Sequence, residues 1–400
     1  MFACFGHFLF VLFLLCQNAV AEIEDNAISE LPEVSMTVPQ IIAYYKYPVE
    51  IFEIETEDGY ILTLHRIPYG RKGKGLDRNA KKPIVFLQHG LIASSADWIV
   101  NLPGQSAGFV GNWYSQKHKN TSTKSSEYWR FTWDEMAQYD LPAMINAALR
   151  IGRQDQLYYV GHSQGTAIMF AKLSSDMEFS KKIKKFFALA PVATINHIKG
   201  LIAFLGTHFG GEVEKIFELF GPHDFLAHNF ITDTFAYILC GPRILNPLCH
   251  NVLFQMGGPE SNQFNDSRLL VYMEHTPAGT STTNMVHWIQ LNVAKKMQKY
   301  DYGSAAKNTQ KYGQPTPPVY NLTNIQTPVY LYYSASDWLA TDLDVKETIL
   351  PQISKQYLKR VQPLVDFNHF DFIYGLRAKP LIYDEIVRSV RQSFMIDNQK

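Results

Sequence analysis

Gly161-His162-Ser163-Gln164-Gly165 narrows the possible folds more than any other feature of the chain. The apolar run Leu157-Tyr158-Tyr159-Val160 precedes it and reads as a buried strand. Thr166-Ala167-Ile168-Met169-Phe170 follows it and has helical composition. A serine wedged between strand and helix, with glycine two residues away on each side, predicts a tight elbow with its Oγ exposed at the strand's end. The bare pentapeptide also arises by chance as a structural turn. The strand before it and the helix after it are what point to a nucleophile.

Other strand candidates set the fold class. Glu50 to Ile67 alternates around Asp58-Gly59 and predicts a hairpin. Pro83-Ile84-Val85-Phe86-Leu87 ends at His89-Gly90, Phe186 to Leu189 is a further run, Val329 to Tyr333 ends near Asp337, and Val361 to Val365 leads to His369. Lys379 to Phe394 has helical periodicity, with apolar residues at Leu381, Ile382, Ile386, Val390 and Phe394. Strands alternating with helices predict an α/β protein with a mostly parallel sheet flanked by helices. Residues 194–318 break the rhythm and predict an inserted, mainly helical cap. The core is then divided between 22–193 and 319–400.

A serine nucleophile needs a base, and the base needs an orienting carboxylate. In this fold their chain order is serine, carboxylate, histidine. His369 is the sole histidine after His287, so the order rule selects it. Asp337, just past the strand Val329 to Tyr333, is the preferred carboxylate by position, with Asp342, Asp344 and Asp366 as competitors. Asp342 and Asp344 also suit the first turn of a helix. The oxyanion formed on attack needs two preset N–H donors. The expected pair is the amide of Gln164, after the nucleophile, and that of Leu91, in the loop opening His89-Gly90-Leu91. No H-E-x-x-H or C-x-x-C occurs, so no metal or other cofactor is expected, and His275 and His287 read as cap residues.

The first residues set the compartment. Phe8 to Leu15 is an unbroken apolar run, and Ala19-Val20-Ala21 has the form of a cleavage site, so 1–21 reads as a signal peptide. The run falls short of the roughly 20 apolar residues that span a bilayer, and no later segment is long and apolar enough. Cys4 and Cys16 would leave with the signal. Cys240 and Cys249 then form an even pair, read as one disulfide in an oxidising compartment or as two free buried thiols. Asn120, Asn265 and Asn321 each open a glycosylation sequon. The chain carries 37 basic and 37 acidic residues, which favours no nucleic-acid partner. A monomer is expected.

The chain resembles the acid lipases, the family of lysosomal acid lipase and gastric lipase. Matching pieces are His89-Gly90-Leu91 with Ser94-Ser95 and Trp98, and Tyr128-Trp129-Arg130-Phe131 before Asp134-Glu135-Met136-Ala137. Further ones are Tyr139-Asp140-Leu141-Pro142-Ala143, Gly161 to Thr166, His275-Thr276-Pro277-Ala278-Gly279-Thr280-Ser281, and Asn368-His369-Phe370-Asp371-Phe372. Asp337 with Leu339-Ala340 and Asp344-Val345 completes the set. The resemblance implies the α/β-hydrolase fold and hydrolysis of neutral lipid esters at a lipid–water interface, in a lysosome or outside the cell. It also implies a lid over the site and a cap disulfide that Cys240 and Cys249 match in position; the Phe-rich stretch Phe204 to Phe235 reads either as that apolar lid or as plain cap core.

One departure stands out. Gly108-Phe109-Val110 runs straight into Gly111-Asn112-Trp113-Tyr114-Ser115, where the family pattern holds a further strand. About fifteen residues are missing, and losing a strand beside the one bearing His89-Gly90 would leave buried backbone groups unpaired. Phe109 to Trp113 could substitute as a stub. A catalytically impaired, lipid-binding variant is the alternative reading.

Overall fold

In the computed structural model, residues 31–71, 81–107, 110–200, 203, 221, 223–225, 254–397 and 399 are described, 110–116 by their backbone alone. The leader at 1–21, most of Phe204 to Phe235, and both Cys240 and Cys249 lie outside the described residues.

The chain enters through helix α1 (Val38–Tyr44), which buries Val38, Ile41 and Ile42. A hairpin follows, β1 (Glu50–Glu55) and β2 (Tyr60–Arg66), paired antiparallel from Glu50 opposite Arg66 to Glu55 opposite Ile61. Gly59 makes the turn with a φ of 98°, a value that glycine adopts without strain. The alternation expected for Glu50 to Ile67 is real: along β1 every second side chain is exposed.

Strand β3 (Val85–Gln88) begins the catalytic sheet. Strand β4 (Val110–His118) comes next and pairs antiparallel with β2. Helix α2 (Leu141–Gly152) leads to β5 (Leu157–His162), in which all six residues are buried. Helix α3 (Gln164–Ser175) and β6 (Ile183–Leu189) complete the first half. The second half returns through β7 (Asp224–Phe225), α4 (Leu269–His275), β8 (Thr280–Ser281), α5 (Thr282–Ala294) and α6 (Ala305–Tyr312). It ends with β9 (Val329–Ser334), β10 (Leu358–Leu364) and α7 (Asp384–Asp397).

Five strands form one parallel sheet in the order β10-β9-β6-β5-β3, and β1-β2-β4 form a separate antiparallel sheet. Central strands of such a sheet are covered on both faces and therefore read as continuous apolar runs. Phe170 of α3 packs edge-on against Phe186 of β6, which in turn meets Tyr159 of β5. Pro363 sits in β10, an edge strand, where its missing N–H breaks no ladder. All five strands run the same way, so their carboxyl ends lie along one rim. His89, Ser163, Asp337 and His369 follow the ends of β3, β5, β9 and β10.

The shortened segment has a structural counterpart. The stub folds as β4, longer than Phe109 to Trp113, but forms no ladder with β3 among the described residues. The sheet divides there.

A buried ion pair ties the start of the chain to its second half. The Arg268 guanidinium donates to Glu33 Oε1 at 2.6 Å and to the Val100 carbonyl from Nε and Nη2, at 3.0 and 2.6 Å. Both side chains are almost fully buried. Arg268→Met strands the Glu33 carboxylate, and losing one partner of a buried pair costs about 3–5 kcal/mol. Urea unfolding of the variant is expected to show a loss of that order.

Candidate active site

Ser163 occupies φ 50° and ψ −121°, a strained conformation for a residue with a Cβ. The surroundings fix it. Its N–H donates to the Leu189 carbonyl at 3.1 Å, and its carbonyl accepts from Thr166 Oγ1 at 2.7 Å and Thr166 N at 2.8 Å. A Cβ on Gly165 would lie 2.6 Å from the Gln88 carbonyl oxygen, and one on Gly161 would lie 2.8 Å from that of Gly165. The two glycines let β5, α3 and the end of β3 approach closely enough to form the elbow.

His369 Nε2 lies 2.9 Å from Ser163 Oγ. Its Nδ1 lies 2.9 Å from Asp337 Oδ2 and 3.1 Å from Oδ1. Asp337 is completely buried, and its Oδ1 also accepts from the N–H groups of Leu339 and Ala340, at 2.9 and 2.8 Å. The carboxylate accepts a hydrogen bond from Nδ1–H, which leaves the Nε2 lone pair facing the serine hydroxyl.

The competing carboxylates are placed elsewhere. Asp344 accepts from Thr194 Oγ1, Asn196 N, His197 N and Thr341 Oγ1, so it pins the loop after β6. Asp342 and Asp344 sit in the short helical turn that their acidity suggested. Asp366 is exposed, in a left-handed conformation with φ 57°.

Three features around the triad were not read from the sequence. The Gly257 carbonyl accepts from both Trp338 N (3.1 Å) and His369 N (3.0 Å), bridging the Asp337 and His369 loops. The adjacent Gly257-Gly258 was the available signal: a Cβ on Gly258 would meet the Ser336 carbonyl at 2.0 Å. Second, the His162 ring lies 4.9 Å from that of His369, and its Nε2–H donates to the His369 carbonyl at 3.1 Å. Burial, with His369 as neighbour, pushes its pKa well below the ordinary value, so it stays neutral there.

Third, Asp371 closes the turn carrying His369. Its Oδ2 accepts from Asn368 N at 2.7 Å and its Oδ1 from Ser261 Oγ at 2.9 Å. Burial raises its pKa to about 7 despite these bonds. A carboxyl held protonated in the fold contributes stability that is complete below its unfolded pKa near 3.8 and is lost as pH rises through about 7. Asp371→Asn removes the titration. Between pH 5 and pH 8 the wild type is expected to lose on the order of 2 kcal/mol more stability than this variant. Melting curves of both proteins at the two pH values check it.

Of the two expected oxyanion donors, one follows the serine directly and the other follows Gly90, where a Cβ would lie 3.1 Å from that of Ser163. Gln164 N begins α3, and Leu91 N lies just past β3. Neither amide has an acceptor among the described residues. The Ile92 carbonyl accepts from Ala278 N at 2.6 Å, which anchors the β3 loop to the segment before β8. A cavity lined by Gln88, His89, Gly90, Phe131, Met144 and Ile168 lies beside the elbow.

Of the residues read as cap histidines, His275 is buried and donates from Nε2 to the Glu33 carbonyl at 3.0 Å, on the side of the N-terminal turn. His287 is buried against Trp133, rings 4.3 Å apart and nearly parallel. Asn120 and Asn321 are exposed and Asn265 is partly so.

Comparison with known proteins places this arrangement. The sequence model for a partial alpha/beta-hydrolase lipase region matches residues 38–102, and that for the alpha/beta hydrolase fold matches 83–227. Lipase lipl-1 of Caenorhabditis elegans is 47% identical across 91% of this chain and 93% of its own length. Human gastric triacylglycerol lipase is 42% identical across 90% and 92%. Human lysosomal acid lipase/cholesteryl ester hydrolase is 42% identical, again across 90% and 92%. The lipl-1 match runs over 380 residues but takes in 91% of this chain's 400, about 364, so about 16 aligned positions have no counterpart in this chain. A crystal structure of a proposed lipase from Sulfolobus solfataricus superposes with a TM-score of 0.55 at 12% identity, over 87% of this chain and 95% of that one, a likeness of fold. With the fold, the serine elbow and relatives of this identity over nearly the whole chain in hand, the chain belongs to the α/β-hydrolase lipase family that includes gastric and lysosomal acid lipase, and it is an ester hydrolase of the lipase class.

Proposed function

We propose that the chain hydrolyses neutral lipid esters, such as triacylglycerols or cholesteryl esters, through an acyl-enzyme on Ser163. The continuous relay from buried Asp337 through His369 to Ser163 Oγ, at 2.9 Å per link, is the observation that carries this reading. Ser163 Oγ attacks the ester carbonyl as His369 Nε2 takes its proton. The amides of Gln164 and Leu91 stabilise the oxyanion, a contribution of about 3 kcal/mol for each donor. His369 then protonates the departing alcohol. Water, deprotonated by the same nitrogen, releases the fatty acid and restores Ser163. Asp337 holds the imidazole in the required tautomer throughout.

Gastric and lysosomal acid lipases are the named relatives, and their names support lipid esters as substrates and a secretory or lysosomal location. In that setting the leader at 1–21 is removed, residues 194–318 form the cap, and Phe204 to Phe235 meets the lipid surface as a lid. Cys240 pairs with Cys249, the three sequons carry glycans, and the mature chain works as a monomer at a lipid–water interface. No helix among the described residues is long and apolar enough to cross a membrane.

The outer edge of β3, which carries no ladder among the described residues, favours one other reading, lipid binding without turnover. Long-chain triglyceride, cholesteryl ester, acyl-CoA and peptide substrates offered in parallel decide among them. Release of fatty acid from the two neutral lipids, with little from the others, is expected. Preferred cleavage of the acyl-CoA or the peptide overturns the lipid assignment, and lipid binding with no hydrolysis supports the second reading.

A further inference from the structure

Gln164 carries more than its backbone amide. Its side chain is buried, and its Oε1 accepts two hydrogen bonds from α5: Trp288 Nε1–H at 2.7 Å and Asn284 Nδ2–H at 2.9 Å. An indole nitrogen only donates, so the oxygen of the Gln164 amide must face it, and both its lone pairs are used. Among the described residues, Gln164 Nε2 meets only the Met136 sulfur, at 3.5 Å.

Asn284 is itself held on every side. It is fully buried, its Oδ1 accepts from Trp133 N at 2.8 Å, and its Nδ2 also reaches Thr280 Oγ1 at 3.0 Å. Its backbone N–H donates to Ser281 Oγ at 2.9 Å, which caps α5. The segment continues away from the elbow. Strand β8 pairs with β7 at Asp224 and Phe225, and Thr282 N donates to the His223 carbonyl at 3.0 Å.

We propose that Asn284 and Trp288 are positioning residues of the oxyanion hole, acting through the Gln164 side chain to fix its backbone N–H. The inference rests on the reading that Ser163 is the nucleophile and Gln164 N an oxyanion donor. The elbow fixes Gln164 at its backbone, and the two bonds to Oε1 fix the far end of its side chain. A residue clamped at both ends cannot turn its amide away, and a donor preset in this way needs no reorganisation when the oxyanion forms. The donors come from α5, across some 120 residues of chain, so docking of the Thr280 to Ala294 segment is coupled to the hole.

Trp288→Phe keeps an aromatic ring but removes the N–H together with the five-membered ring, and Gln164→Met keeps a long buried side chain and removes the acceptor. Each is read with a short soluble ester and with an alkyl boronic acid, whose tetrahedral serine adduct places an oxygen in the hole. Losing one such bond, as in Trp288→Phe, corresponds to about five- to tenfold, and Gln164→Met, which loses both, falls by at least as much. Expected is a fall of that size in kcat with KM unchanged, an equal fall in boronic acid affinity, and a double variant no worse than Gln164→Met alone. Unchanged kcat and boronate affinity in either folded variant, or a loss confined to KM, overturns the inference. If the wild type itself fails to bind the boronic acid, the underlying reading of Ser163 fails instead.

Discussion

Ser163→Ala is expected to reduce ester hydrolysis by about a millionfold, the loss seen when a triad nucleophile is removed while substrate binding and the oxyanion hole survive. The fold should tolerate the change. The Ser163 backbone strain is set by bonds to Leu189 and Thr166 and by the close approach of Gly161 and Gly165, none of which involves the hydroxyl. Alanine carries the same Cβ, so the strain at φ 50° is the same. Only the bond from Oγ to His369 is lost. The melting temperature should therefore stay near that of the wild type while fatty acid release disappears, as circular dichroism and a titrimetric assay would record.

Asp337→Asn should lower kcat by about ten-thousandfold without unfolding the site. The hydrogen bonds say why. Asp337 Oδ1 accepts the N–H groups of Leu339 and Ala340, so the single oxygen of an asparagine is drawn to that position. Its NH2 then takes the place of Oδ2, 2.9 Å from His369 Nδ1. Two donors cannot face each other there, so the imidazole adopts the other tautomer. Its proton moves to Nε2, and the nitrogen facing Ser163 can no longer accept one. KM should change little. A loss carried mainly by KM would mean that Asp337 shapes substrate binding instead of holding the tautomer.

The chain order of serine, carboxylate and histidine was legible because this fold has a characteristic order, and the parallel sheet puts all three on one rim. Each group follows the carboxyl end of a strand whose apolar run is visible in the sequence: Leu157 to Val160, Val329 to Tyr333 and Val361 to Val365. Strand ends were less legible. β10 begins at Leu358 because an edge strand tolerates the exposed Lys359 and Arg360 that hid its start. The helix read over Lys379 to Phe394 is split, with a wide turn at Lys379–Tyr383 before α7. The supports of the site were hidden for a different reason. Gly257, Asn284 and Trp288 reach the triad through contacts between residues distant along the chain, and neither periodicity nor motif records such contacts.

The shortened segment bears on the same rim. β3 delivers His89-Gly90-Leu91, and one of its edges is fixed by the ladder with β5, Val85 opposite Tyr158 through Gln88 opposite Gly161. Gly90 lets that loop come close against the elbow, since a Cβ there would lie 3.1 Å from that of Ser163. The Ala278 bond to Ile92 holds the loop from above. Three supports of the Leu91 side of the oxyanion hole thus remain where the ladder to β4 is absent.

Covalent labelling tests the central claim most directly. The full-length protein is treated with a fluorophosphonate, digested, and its peptides weighed. The account predicts one phosphonylated residue, Ser163, in wild type and none in Ser163→Ala. Folded wild-type protein that takes up no label, or that carries it on another residue, would contradict it.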